Sequence, residues 1–506
     1  MSGSDICILI AIIAYLLIVV GIGINYTKKN KTTEDFYLGG RKLGPFVTAM
    51  SAEASDMSSW LLMGLPGLAY AYGIAEASWT AIGLAVGTYL NWLIVAKRLR
   101  KYTEIAGNAT TVPEFFSNRF RDNKKILTVI AAIVIIVFFV PYTASGFAAC
   151  GKLFASLFGV DYMIAMVISA IVIVAYTTLG GFMAASTSDF LQSIVMTIAI
   201  VVVLGFGSVT AGGFANVMSN AQSMVGYISL TEVYQGPSNP TTGYGFITII
   251  STLAWGLGYF GMPHILLRFM AIEDEKKLTL SRRIASVWVV IAMGVAIVIG
   301  IVGNAMSKSG VIPALDDGET IIIAIATVLS KHGVVCALIA GIILAGILAA
   351  TMSTADSQLL AASSSVSQNI FKEVFFKNMS EKASMITARV TVIIISLIAV
   401  FIARDSNSSV FRIVSFAWAG FGAAFGPVVL FALFWKRMNK QGALAGMLGG
   451  GIMVFVWKYI VRPLGGAFDI YELLPAFIVS SILIVIVSLL TKVPELEIID
   501  EFDSVH

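Results

Sequence analysis

SAEASDMSSWLLMGLPG, residues 51–67, places two carboxylates, Glu53 and Asp56, inside an otherwise apolar stretch and closes it with Pro66-Gly67. A run of this character reads as a membrane segment, where an acid is rare because even the mildest insertion scale sets its cost at about 2.5–3.5 kcal/mol. Asp56 is therefore expected to face protein, water or a cation. Gly64, Pro66 and Gly67 predict an interrupted helix whose freed backbone carbonyls are available to such a cation.

The rest of the chain agrees with a membrane setting. Of 506 residues, 58% are hydrophobic and 12% charged, against about 25% charged in soluble domains. The first apolar run, ICILIAIIAYLLIVVGIGI at 6–24, rises roughly 28 Å as a helix, enough for a hydrocarbon core of about 30 Å. No Lys or Arg precedes it, so it is expected to be retained and not cleaved as a signal peptide. Cys7, Cys150 and Cys336 fall in or beside apolar runs without metal-ligand spacing, which suggests neither a disulfide framework nor a zinc site.

About thirteen runs are long enough to span, from 6–25 to 472–490. Assigning each basic residue to its nearest loop puts 26 of the 33 Lys and Arg on one side, which predicts the N-terminus outside and the C-terminus in the cytoplasm. The long outward loop at 212–243 contains neither residue. KRLRK at 97–101 and KRMNK at 436–440 read as inner-face anchors, with no need for nucleic acid.

A second interrupted span, AWGLGYFGMPHILLRFM at 254–270, lies five spans after the first. An odd offset makes the two run in opposite directions, the pattern of an inverted repeat with a broken helix opening each half. The expected organisation is an all-α polytopic membrane protein, one transporter domain over 1–506. Its repeats cover about 46–209 and 243–435, with peripheral helices at 441–490.

MSTADSQLLAASSS at 352–365 offers Ser353, Thr354, Asp356 and Ser357, hard oxygen donors suited to a hard cation. Ala350 lies three and four residues before Ser353 and Thr354, so one carbonyl and two hydroxyls share a helix face. The competing reading is that these hydroxyls bond back to their own helix. Trp60, Tyr142, Trp255 and Tyr259 sit at broken or proline-adjacent positions where rings can sandwich a small solute, although aromatics at span ends also form interfacial belts. No phosphate-binding GxxxxGK[ST] or HExxH motif occurs. Uphill movement would then draw on an ion gradient, worth about 2.3 kcal/mol per 100 mV and about 1.4 kcal/mol per tenfold concentration ratio.

At SDMSSWLLMGLPG, AYTTLGGFMAASTSDFLQ, AWGLGYFGMPHILLRFMA, ILAATMSTADSQLL and AWAGFGAAFGPVVLFALFWKRMNKQGALAGM the chain resembles the solute:sodium symporter family, most of all its bacterial proline-carrying branch. The resemblance implies a thirteen-helix protein with a LeuT-like core of five plus five helices, importing L-proline with sodium by alternating access in the cell membrane. It implies no enzyme activity and no resident cofactor, sodium being co-transported. By residue, it implies sodium held by the carbonyls of Ala54, Met57 and Ala350 and the hydroxyls of Ser353 and Thr354, with Asp56 nearby. Proline would contact Ser58, Trp60, Gly64, Tyr142, Trp255, Tyr259 and Pro263, and Arg41 would serve coupling on the inner side. A second cation would use Asp189 with Ser357, although Asp356 stands where a hydroxyl is expected. Ser59 replaces a glycine of the pattern, and Glu53 replaces a small residue. Two placements stay open for Glu53: lining the inner water path, or pairing with a cation such as Arg41. The alternatives in function are another small carboxylate-bearing solute, such as a different amino acid or pantothenate, and a transporter-like sensor. The short tail TKVPELEIIDEFDSVH leaves no room for a kinase and disfavours the sensor.

Overall fold

The computed structural model describes residues 2–27, 33–376 and 378–505. Lys28, Lys29 and Lys31, which weigh in the inward basic count, lie outside the described residues. Among the described residues ten helices are each long and apolar enough to cross a membrane, and the bent pair Phe246–Gly261 and Pro263–Ala271 makes an eleventh. Tyr162–Thr178 and the interrupted segment from Pro45 to Tyr72 complete the thirteen expected.

In chain order, span one is Gly3–Thr27, and span two is Pro45–Ser59 continued by Leu65–Tyr72. Span three runs from Ile74 through a wide turn at Asn91–Val95 to Ile105, and span four is Ile126–Phe158. Spans five and six, Tyr162–Thr178 and Gly180–Thr210, meet at Gly181, whose φ of 66° and ψ of −172° reverse the chain. Span seven is the bent pair, span eight Leu278–Lys308 and span nine Val334–Ser364. Spans ten to thirteen are Glu381–Ile402, Val410–Phe434, Lys440–Val456 and Leu473–Leu490.

Each span is sorted by one-sided burial. In span one Ile8, Ile12, Tyr15 and Val19 are buried at spacings of three and four, while Ile10, Ile13 and Leu17 are exposed. That face meets lipid, where apolar side chains need no partner and all backbone groups are paired within the helix. Span nine is buried throughout its second half, from Ile343 to Ser364, and packs against spans one, two, four and six.

Small residues bring the two broken spans together with their neighbours. Gly83 and Gly87 of span three lie directly on the backbone of Leu253 and Gly256 in span seven, at a separation that admits no side chain. On the face expected to be outer, a short helix at Ile321–Ser330 follows a 3-10 turn at Gly318–Thr320, and a two-stranded hairpin pairs Glu232–Val233 with Thr242–Gly243. On the opposite face Val112–Arg119 and Leu496–Ser504 cap the bundle.

Candidate functional site

The interruption in span two is not where the glycines and proline placed it. Ser58 alone leaves helical geometry, with φ 47° and ψ −171°, a left-handed backbone setting that costs a non-glycine residue roughly 1–2 kcal/mol. Its Oγ accepts the Trp60 amide at 3.1 Å, which supports the turn. Pro66 instead sits in the first turn of Leu65–Tyr72, where its missing N–H is no loss. Gly67 serves packing: a Cβ there would stand 2.7 Å from the Glu319 nitrogen. In span seven the helix tightens into a 3-10 turn over Ala254–Gly261, leaves helical geometry at Met262 and restarts at Pro263, bending by 46°.

These breaks gather Asp56 and its partners. Asp56 Oδ2 accepts the Tyr259 hydroxyl at 2.5 Å, and the Asp56 carbonyl accepts the Tyr142 hydroxyl at 3.2 Å. Two residues earlier, the Ala54 carbonyl accepts Ser353 Oγ at 2.8 Å, and the same hydroxyl stands 3.1 Å from the Ala350 carbonyl. Thr354 Oγ1 reaches Ala350 O at 3.1 Å. The hydroxyls thus bond back to their own helix, and Ser353 also crosses to span two. Ala54, Ala350, Ser353 and Thr354 form one continuous oxygen cluster beside Asp56, while the Met57 carbonyl accepts the Trp60 amide.

Glu53 takes neither of its two expected placements. It is 1% exposed, and its Oε1 accepts Trp92 Nε1 at 3.0 Å and Thr88 Oγ1 at 3.3 Å. The wide turn at Asn91–Val95 brings Trp92 inward, and Asn91 donates to the Tyr259 carbonyl at 3.0 Å. Arg41 donates to Met270 O at 2.6 Å, Ala109 O at 2.9 Å and Asn108 Oδ1 at 3.1 Å, strapping the entrance of span two to the end of span seven.

Asp189 and Ser357 come together around a residue the sequence reading passed over. Arg268, 1% exposed, donates to Asp189 Oδ2 at 3.0 Å, Ser357 Oγ at 2.6 Å, Ser51 Oγ at 3.0 Å and His264 O at 2.9 Å. Ser357 also reaches Asp356 Oδ1 at 3.1 Å. The signal was present: an arginine inside an apolar broken span is expensive and functional by default.

The aromatic side chains form one cluster around Trp255. Trp60 and Trp255 have ring centroids 5.8 Å apart, Tyr471 lies on Trp255 at 5.1 Å and 21°, and Phe411 stands 5.5 Å from Trp255. Trp418 Nε1 donates to the Trp255 carbonyl at 2.7 Å, and its ring meets Tyr259 edge-on at 5.1 Å. Gly64 fits beneath Trp60 and Phe411 because a Cβ would come within 3.2 Å of the indole. Pro263 is buried at the start of the second half of span seven. Phe411, Trp418 and Tyr471 were not foreseen, since they come from span eleven and from the segment leading into span thirteen, and only the tertiary fold sets them beside Trp255.

A carboxylate closes this region on the face expected to be outer. Glu319 Oε1 accepts Ser409 Oγ at 2.9 Å and the Phe411 amide at 3.1 Å. Its Oε2 accepts Lys152 Nζ at 2.7 Å and the Val410 amide at 3.2 Å.

A sequence model of the sodium:solute symporter family matches residues 36–450. A sodium/proline symporter of Haemophilus influenzae is 44% identical, over 96% of this chain and 95% of its own. The osmoregulated proline transporter OpuE of Bacillus subtilis is 42% identical, again over 96% of this chain and 95% of its own. Among solved structures, the substrate-bound, outward-open state of a Na+-coupled sialic acid symporter superposes with a TM-score of 0.80 at 18% identity, covering 97% of this chain and 99% of that one. At that identity the likeness shows the fold.

Proposed function

The chain belongs to the sodium:solute symporter family, and on that premise we propose that it imports L-proline together with sodium by alternating access around the break in span two. The observation that carries this reading is the oxygen cluster of Ala54, Ala350, Ser353 and Thr354 beside Asp56. These are hard, uncharged ligands with one carboxylate close by, a donor set suited to sodium. We assign the ion to the carbonyls of Ala54, Met57 and Ala350 and the hydroxyls of Ser353 and Thr354. An ion there bridges spans two and nine, which Ser353 already joins by a hydrogen bond.

Asp56 passes the effect of the ion to span seven, because the carboxylate that neutralises the cation also holds Tyr259. The solute side is assigned to Ser58, Trp60, Gly64, Tyr142, Trp255, Tyr259 and Pro263, where the rings pack against a pyrrolidine. Asp189 and Ser357 hold the Arg268 guanidinium, and we assign one sodium per cycle. Arg41 is assigned to coupling, as the strap that must change when the inner ends of spans two and seven part. The repeats are placed at about 46–209 and 243–435 and the peripheral helices at 441–490, with the N-terminus outside and the C-terminus in the cytoplasm. The solute leaves chemically unaltered.

Uptake of radiolabelled proline into proteoliposomes, with and without an inward sodium gradient, tests the proposal. Sodium-dependent accumulation is expected, and sodium-independent uptake or none overturns it. Competition by other amino acids and pantothenate separates proline from another small carboxylate-bearing solute.

A further inference from the structure

Between spans two, four and nine lies a narrow polar crevice bordered by Ser58, Ser59, Tyr142, Thr143, Thr354 and Gln358. Gln358 is completely buried, and its Oε1 accepts the Thr143 hydroxyl at 3.1 Å. In this orientation of the amide the two hydrogens on Nε2 point away from Thr143. Among the described residues Nε2 has no hydrogen-bond partner, and neither has the hydroxyl of Ser59, which is also completely buried.

A buried polar group without a partner costs about 1–3 kcal/mol, and a native fold carries few of them. Nε2 of a glutamine is a donor only. What completes it must offer acceptor oxygens, and a metal ion does not. Ser59 adds a hydroxyl on the same crevice, immediately after the Ser58 break. We propose that Gln358, with Ser59, binds the carboxylate of the transported solute and is the residue that selects acids over their neutral derivatives. This rests on the sodium symport reading above and names the part of the solute that its aromatic residues do not address.

Thr354 borders the same crevice and belongs to the oxygen cluster assigned to sodium. Anion and cation are then neighbours across one side chain, and each lowers the energy of the other. In this conformation the crevice is narrower than a water molecule. The carboxylate enters only when spans two, four and nine part, which ties recognition to the conformational cycle.

The test is competition against labelled proline uptake in proteoliposomes, comparing unlabelled proline with prolinamide, for wild type, Gln358→Met and Ser59→Ala. Losing a hydrogen bond to a charged group corresponds to roughly a 10- to 100-fold loss of affinity. Wild type is expected to favour proline strongly. Gln358→Met is expected to lose about that factor for proline but little for prolinamide, so the ratio of the two collapses. Ser59→Ala is expected to reduce the ratio by a smaller factor, and it answers the question even where Gln358→Met fails to fold. A ratio unchanged in the folded variants, or a wild type indifferent to the amide, overturns the inference. A wild type without sodium-dependent uptake overturns the symport reading instead.

Discussion

The two broken spans do different work with the same device. Span two breaks at a serine in a polar neighbourhood, and its break exposes carbonyls and presents Asp56. Span seven breaks through a 3-10 turn rich in glycine and aromatic residues, and presents rings. A left-handed residue interrupts a helix within one turn and leaves its oxygens directed at one point. A tightened turn shifts side chains around the axis while keeping the chain continuous. Under the proposed assignments the first break offers carbonyls to the ion together with span nine, the second offers rings to the solute together with Trp60, and the Asp56–Tyr259 hydrogen bond joins them.

The comparison breaks most severely at the inner ends. Arg268 of span seven is tied to Ser51 of span two through Asp189, so Asp189→Asn leaves a buried guanidinium uncompensated. The expected loss is about 3–5 kcal/mol of stability, read as a lower melting temperature in detergent, with the apparent sodium affinity of the surviving protein near wild type. Asp56→Asn should do the reverse. Apparent sodium affinity is expected to fall roughly 10- to 100-fold, from a charged contact worth about 1.5–3 kcal/mol, with the smaller change in melting temperature. Equal sodium curves for the two variants would remove the assignment of ion chemistry to the first break.

Smaller changes sharpen the contrast. Trp418→Phe deletes the hydrogen bond to the Trp255 carbonyl, worth about 0.5–1.5 kcal/mol, and should raise the KM for solute roughly two- to tenfold without moving the sodium dependence. Pro66→Ala should be nearly silent, within about 0.5 kcal/mol, because the break lies at Ser58 and Pro66 sits where a helix tolerates it. Uptake measured over a sodium titration checks both.

The thirteen spans and the approach of span two to the Ala350–Thr354 turn, made by the Ala54 carbonyl and Ser353, were legible because hydropathy and misplaced polarity are local signals. Ser58 was not, since glycine and proline are the residues that announce a break and a serine forced into left-handed geometry by its surroundings leaves no such mark. Glu53 was equally opaque: its partners Trp92 and Thr88 belong to span three, and no spacing along the chain connects them. The same holds for Phe411, Trp418 and Tyr471, which reach Trp255 from beyond span ten. Arg268 was legible in kind and overlooked, while its four acceptors required the fold.

Glu319 gathers four donors on one carboxyl group, from span four and from the first residues of span eleven, and Phe411, whose amide it holds, rests on Trp255. In mechanical terms this is a rivet and not a hinge. One side chain thus carries every one of these links, so displacing the Glu319 carboxyl parts span four from the start of span eleven at all four bonds, while Asp317 keeps its own hold on Lys152.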